Sequence, residues 1–280
     1  MDKPPRLTDI TALRRNRKNR LNPKALFLHE EAAFEIQERL NEVNRAFKTP
    51  AIIAPFSNIW SDSFPGAKII ADDDTLSLKQ GDHDLVIHAM SLHWSNDPVG
   101  QLIQCKRALT PDGLFIAIFP GGQTLNELRS VLATAEIGVS SGLSPRIAPM
   151  SEIRSIGALL QRAGFALPVA DSISLHTSYA TAWDLMRELR AMGEGNALAA
   201  RKKTASRRQM FNEAAMLYEQ EYSDDTGRIP ATFELICLTG WAPHDSQPQP
   251  LRPGSAKARL ADALSTVETK AGDLSKPSSH

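Results

Sequence analysis

Apolar and polar positions alternate with a changing period along this chain, and the clearest stretch is Asp84 to Gly122. Asp84-Leu85-Val86-Ile87-His88-Ala89 is a short apolar run led by a carboxylate, which predicts a buried strand. From Pro98 to Leu109, Val99, Leu102, Ile103 and Leu109 recur at helical spacing, with Pro98 in the first turn. Thr110-Pro111-Asp112-Gly113 predicts a turn, and Leu114 to Phe119 a second apolar strand. Strand, crossover helix and strand make one βαβ unit, which places both strands in one sheet.

Around this unit the pattern predicts further elements. Leu28, Ala32, Ile36, Leu40, Val43 and Phe47 mark a helix over residues 26–47. Strands are expected at 51–56 and 67–71, with Pro65-Gly66 as a turn before the second. Helices follow at 124–135 and 151–164, the latter capped by Ser151 and ended by Gly164. A rough alternation predicts a strand at 165–177, and helical spacing returns at 181–192 and 209–222. Phe233 to Thr239 reads as the final, antiparallel strand. From Ala242 prolines break the pattern, leaving room for one short helix at 258–267 and a disordered tail. The expected division is a basic arm at 1–20, an α/β domain at 21–241 and a Pro-rich extension at 242–280.

Composition narrows the function classes. A chain of 280 residues with 42% apolar content can bury a sizeable core. Zero formal net charge argues against a general nucleic-acid binder. No apolar run reaches the roughly 18–20 residues that span a bilayer, and the first ten residues lack a signal peptide's apolar core. Cys105 and Cys237 sit in apolar patterns and read as buried thiols of a soluble protein in a reducing compartment. His29-Glu30-Glu31 lacks a second histidine one turn away and reads as a surface cluster, so no metal site is expected. Two basic runs, 14–20 and 201–208, read as solvated faces; the first could instead meet an acidic partner, phospholipid headgroups or RNA.

Asp84-Leu85-Val86, Leu92-His93-Trp94 and Leu109-x-Pro111-Asp112-Gly113 resemble the fourth and fifth strand motifs of class I S-adenosylmethionine-dependent methyltransferases. Longer motifs resemble the methyltransferase-like family of respiratory complex I assembly factors. They are Ser91-Leu92-His93-Trp94-x-Asn96-Asp97, Gly121-Gly122-x-Thr124-Leu125-x-Glu127-Leu128-Arg129, Ser144-Pro145-x-Ile147-x-Pro149, Leu159-Leu160-x-Arg162-Ala163-Gly164-Phe165 and Met192-Gly193-Glu194-x-Asn196. His244-x-Ser246-Gln247-Pro248 resembles the start of the family's C-terminal signature.

The resemblance implies an α/β, Rossmann-like class I methyltransferase sheet with helices on both faces. It implies S-adenosylmethionine as cofactor, held by the first loop (Ala54, Ser57, Asn58), by the aspartates after the next strand (Asp72, Asp73) and by the end of the motif strand (His88, Ala89, Met90). It places His93 and Trp94 against substrate as catalytic candidates; the alternative makes His93 a core histidine and Trp94 an anchor for a helix start. It also implies a respiratory-complex subunit as partner and arginine hydroxylation as the branch's activity, although no two-histidine-one-carboxylate motif stands out. The expected compartment is a bacterial cytoplasm, or the mitochondrial matrix in a eukaryote.

Two departures weaken the cofactor expectation. The family's first loop has the form D-x-G-x-G, and here Ala54-Pro55-Phe56-Ser57-Asn58 has neither glycine nor carboxylate. The stretch between Ala54 and Asp84 is also too short for two further βα units, since one βαβ takes about 30 residues. One helix–strand unit is expected to be missing. Asp72-Asp73 then follows either the family's second strand, where it would hold ribose hydroxyls, or its third, near the adenine; Asp72-Asp73-x-x-Leu76-x-Leu78 favours the third. A solvated acidic turn competes with both. The sequence supports a methyltransferase-family protein, or a cofactor-free assembly protein that keeps the fold.

Overall fold

The computed structural model describes residues 6–140, 142–150 and 152–248. The expected Ser151 cap and the 258–267 helix lie outside them. Residues up to His244 form one compact unit, and those from Asp245 onward belong to a second.

Six strands form one sheet: β1 (Pro50–Ile53), β2 (Lys68–Ile70), β3 (His83–Ala89), β4 (Leu109–Pro120), β5 (Ala166–Tyr179) and β6 (Ile229–Trp241). Their order is β2-β1-β3-β4-β6-β5. The first four are parallel, and β6 runs antiparallel between β4 and β5. Ala51-Ile52-Ile53 of β1 and Leu85-Val86-Ile87 of β3 are continuous apolar runs because helices cover both sheet faces. Ile52, Leu85, Ile87, Ile116 and Ile118 point to one face. There they meet α2 (Phe27–Val43), α5 (Asn126–Ser140), α7 (Ala182–Ala191) and α8 (Arg208–Tyr222). Ile53, Val86, Phe115, Ala117 and Phe119 point to the other, against α4 (Pro98–Ala108) and α6 (Ile153–Ala163). Both cysteines are free and buried, one on each face.

The missing unit is resolved by strand pairing. β2 pairs directly with β1, Ala51 opposite Lys68, and no strand lies beyond β2 among the described residues. β2 therefore takes the position of the family's second strand, and the assignment to the third is corrected. The β3–β4 unit holds, but the expected 110–113 turn is drawn into the start of β4. The register slips there between His83↔Leu109 and Leu85↔Leu114, and Asp112 takes a left-handed backbone at φ 59°. Asp84 accepts the backbone N–H groups of Lys48 and Thr49 at 2.6 and 2.9 Å, fixing the entry to β1 beside β3.

The basic N-terminal run differs most from expectation. It forms α1 (Ile10–Arg20), capped by the Asp9 side chain on the Ala12 N–H. α1 buries Ala12 and Leu13 against Trp94, Ala148, Ala197 and Leu198. The segment ahead of it is pinned by Asn96, which accepts from the Thr8 N–H at 2.9 Å and donates to the Thr8 carbonyl at 3.2 Å. One face of the run is docked, because Ala12, Leu13, Asn16 and Arg17 have partners far along the chain, while Arg14, Arg15, Lys18 and Arg20 stay exposed as a solvated face would.

Candidate functional site

The sheet order reverses between β1 and β3, so a crevice opens at their carboxyl ends, where open α/β sheets bind ligands. β1 ends at Ile53, and Ala54-Pro55-Phe56 turns the chain into a short helix, α3 (Ser57–Ser63). Trp60 is fully buried and donates its Nε1–H to His29 Nδ1 at 3.3 Å. His29 is thus buried inside the domain, which corrects the expectation of a surface cluster; the helical pattern could not show that α3 covers this face. Burial lowers its pKa to about 4. The Phe56 ring lies 5.2 Å from the His29 ring, with the Arg17 guanidinium 5.9 Å above it.

The aspartates after β2 are engaged by α1. Arg17 pairs with Asp72 at 2.6 Å, and Arg14 with Asp73 at 2.6 Å. The first pair is largely buried and the second is solvent-exposed. At the end of β3, His88 is buried, with Nε2 3.0 Å from Gln101 Oε1, and Gln101 donates to the Asp73 carbonyl at 3.0 Å. Burial also pushes His88 down to about 4. Met90 then takes a left-handed backbone at φ 50°, which turns the chain into a single 3-10 turn carrying His93 and Trp94.

That turn meets the end of α7. Gly193 has φ 81°, and a side chain there would press on Arg17 Cα at 3.2 Å, so glycine both stops α7 and admits α1. The next residue, Glu194, accepts from Trp94 Nε1 at 2.6 Å and lies 3.4 Å from His93 Nε2. Burial works to raise the Glu194 pKa, but His93, Arg17 and the Trp94 N–H together hold it down to about 2. Glu194 and Arg17 were not among the expected site residues. The signal for Glu194 was present in Met192-Gly193-Glu194; Arg17 was hidden in a run of similar charges.

His93, Trp94 and Glu194 open onto a cleft of about 630 Å³. Leu125, Leu128 and Leu132 of α5 form one wall, and Met186 and Leu189 of α7 another. The loop bearing Arg146 to Met150 closes a side, held to α5 by Arg146 and Ser144 on Glu136. Of the expected residues, His93 and Trp94 line this cleft, whereas Ala54, Ser57, Asn58, Asp72, Asp73, His88, Ala89 and Met90 do not. Ser57 and Asn58 are exposed and bond to each other. Of the set expected to hold cofactor, Asp72 and Asp73 are paired to α1, and none lines the cleft.

Comparison with known proteins places the chain. The "Methyltransferase domain" family matches residues 52–117, which run from β1 into β4. Over 229 residues the chain is 37% identical to "Arginine-hydroxylase NDUFAF5, mitochondrial" of Danio rerio, covering 81% of this chain and 71% of that protein. This chain belongs to the NDUFAF5 family. The human NDUFAF5 is 35% identical over 229 residues, covering 81% of this chain and 66% of its own length. The YcgJ protein of a Bacillus species superposes with TM-score 0.43 at 11% identity, over 66% of this chain and 75% of that one. As an NDUFAF5 family member the chain is a class I methyltransferase-like protein of the complex I assembly-factor type.

The residues present do not fit S-adenosylmethionine in the manner of the family. Pro55 and Phe56 stand where the glycine loop would approach the ligand, and the Phe56 ring is packed between His29 and Arg17. Asp72, which follows the strand paired with β1, already holds the Arg17 guanidinium. Among the described residues no group of three or more metal-ligating side chains occurs, and no helix is long and apolar enough to cross a membrane.

Proposed function

We propose that this NDUFAF5 family member acts in respiratory-complex assembly by binding a protein partner, and that it does so without S-adenosylmethionine. The observation that carries the cofactor-free reading is the Arg17–Asp72 pair: α1 supplies from within the chain the charge that closes the crevice. Two of the motifs behind the family resemblance contribute to this docking, the one around Trp94 and the one around Gly193. Asn96 holds Thr8, Gly193 admits Arg17, and the Gly195 carbonyl accepts from Asn16 at 2.9 Å. The assembly role is inferred from membership in the family. Its partner on this reading is a respiratory-complex subunit, met in the cytoplasm of a bacterium or the matrix of a mitochondrion.

One set of observations favours a second reading, in which α1 lifts and the cofactor enters. His88 Nδ1, Ser91 Oγ, His93 Nδ1 and two nitrogens of Arg17 are buried without a hydrogen-bond partner among the described residues. A ligand's polar groups would satisfy them. Quantitative affinity purification of the tagged chain from its host, with and without millimolar S-adenosylhomocysteine, tests the proposal. Enrichment of respiratory-complex subunits that is indifferent to the nucleoside is expected. Enrichment that depends on it, or none, contradicts the proposal.

A further inference from the structure

The cleft beside His93 and Trp94 has a charge pattern unrelated to methyl transfer. Arg15, Arg20, Arg190, Lys202 and Lys203 line it, all exposed, and none is ion-paired among the described residues. They come from three separate segments, α1, α7 and the 192–203 loop, so they surround a common space instead of following one solvated helix face. Two further lining arginines are neutralised: Arg146 by Glu136 at 2.7 Å and Arg201 by Asp9 at 2.8 Å. The carboxylate in the cleft, Glu194, is engaged by Trp94 and His93. The mouth thus carries five cations with no ion-pair partner among the described residues.

Behind the mouth the walls are apolar. Leu125, Leu128, Leu132, Met186, Leu189 and Phe211 face the space. Methionine side chains adapt to a flexible occupant, and lysine and arginine stems extend the apolar surface while their heads stay wet. A volume of about 630 Å³ falls within the range of small-ligand sites. An apolar interior under a cationic mouth complements one chemistry, an anionic head on an apolar chain. Arginine grips planar carboxylate and phosphate groups with paired hydrogen bonds, which fixes the head at the mouth.

We propose that this cleft binds a single-chain anionic amphiphile, a carboxylate or phosphate head with an aliphatic tail. The proposal is independent of the cofactor-free reading, since none of the expected cofactor residues lines the cleft.

The test is calorimetric titration of the full chain, below micellar concentration and at physiological salt, with decanoate, decyl phosphate, decyl maltoside and inorganic phosphate. Decanoate or decyl phosphate is expected to bind at least about tenfold more tightly than decyl maltoside, a difference of about 1.4 kcal/mol. Inorganic phosphate is expected to bind at least about tenfold more weakly than decyl phosphate. The two anionic arms distinguish an acyl carboxylate from a phospholipid-like head. Arg190→Glu combined with Lys203→Glu, and separately Arg15→Glu, should each weaken binding by about tenfold or more with an unchanged melting temperature, as all three positions are exposed. Equal binding of the neutral detergent would overturn the proposal. So would failure of both anionic probes at millimolar concentration, or tight binding of an acidic peptide when neither amphiphile binds.

Discussion

At the scale of single residues, the site is a set of buried polar side chains whose protonation is fixed by their surroundings. His29 and His88 are both held near pKa 4 by burial, against 6.5 for an exposed imidazole. The unfolded chain therefore binds protons that the folded chain refuses, and stability is complete above pH 6.5 and falls as pH drops towards 4. The loss should be on the order of 3 kcal/mol per histidine, and urea denaturation across pH 7.5 to 4 should show His88→Asn with a flatter profile than wild type. Parallel profiles would contradict this account of His88. Glu194 and Glu136 behave with the usual carboxylate sign. Both are held at about 2, so their contribution is present above pH 4.5 and lost as pH falls through 2. Trp94→Phe keeps an aromatic ring but removes the N–H that Glu194 accepts together with part of the buried indole, and thermal melting should report a loss of about 1.5–3 kcal/mol or more.

At the scale of elements, α1 is the piece that engages the aspartates after β2. Its Arg17 side chain is 9% exposed and its partner Asp72 is 18% exposed, so removing the guanidinium strands a carboxylate in a poorly solvated place. Arg17→Met should lower stability by about 2 kcal/mol, read by thermal melting, and should expose residues 18–22 to limited proteolysis. Gly193→Ala should act on the same contact from the other side, costing about 1 kcal/mol or more through its positive φ and its approach to Arg17. Wild-type protection of residues 18–22 in either variant would mean that α1 is held by other contacts. The sheet and its helices were legible in the sequence because period and apolar run length report which side of an element is buried. The shortened first half could be counted directly, since a βαβ unit has a minimum length. The identity of β2 was not legible, because pairing with β1 is a long-range choice that Lys68-Ile69-Ile70 does not encode locally. α1 was missed for a related reason. Six of its eleven residues are arginine, lysine or the buried Asn16, and only distant partners at Asp72, Gly195 and Trp94 make it a docked helix. His93 and Trp94 were recognisable from their position after a strand end, whereas the cleft they line depends on α7, α8 and two loops brought together by the fold.

At the scale of the whole molecule, a methyltransferase-like sheet carries two regions with different fates. The crevice at the ends of β1 and β3 is closed by Phe56 and by arginine–aspartate pairs from α1. The neighbouring cleft stays open, with apolar walls and a cationic mouth. On the proposed reading the first region has lost its cofactor while the second is kept, which the fold permits because different segments of the chain build the two. The central claim is that α1 has replaced the cofactor, and calorimetric titration of the purified full-length protein with S-adenosylmethionine and S-adenosylhomocysteine tests it most directly. No binding heat and no thermal stabilisation at millimolar ligand is the expected result. Micromolar binding of either compound by the wild-type chain would contradict it and would mean that Arg17 yields Asp72 to a ribose.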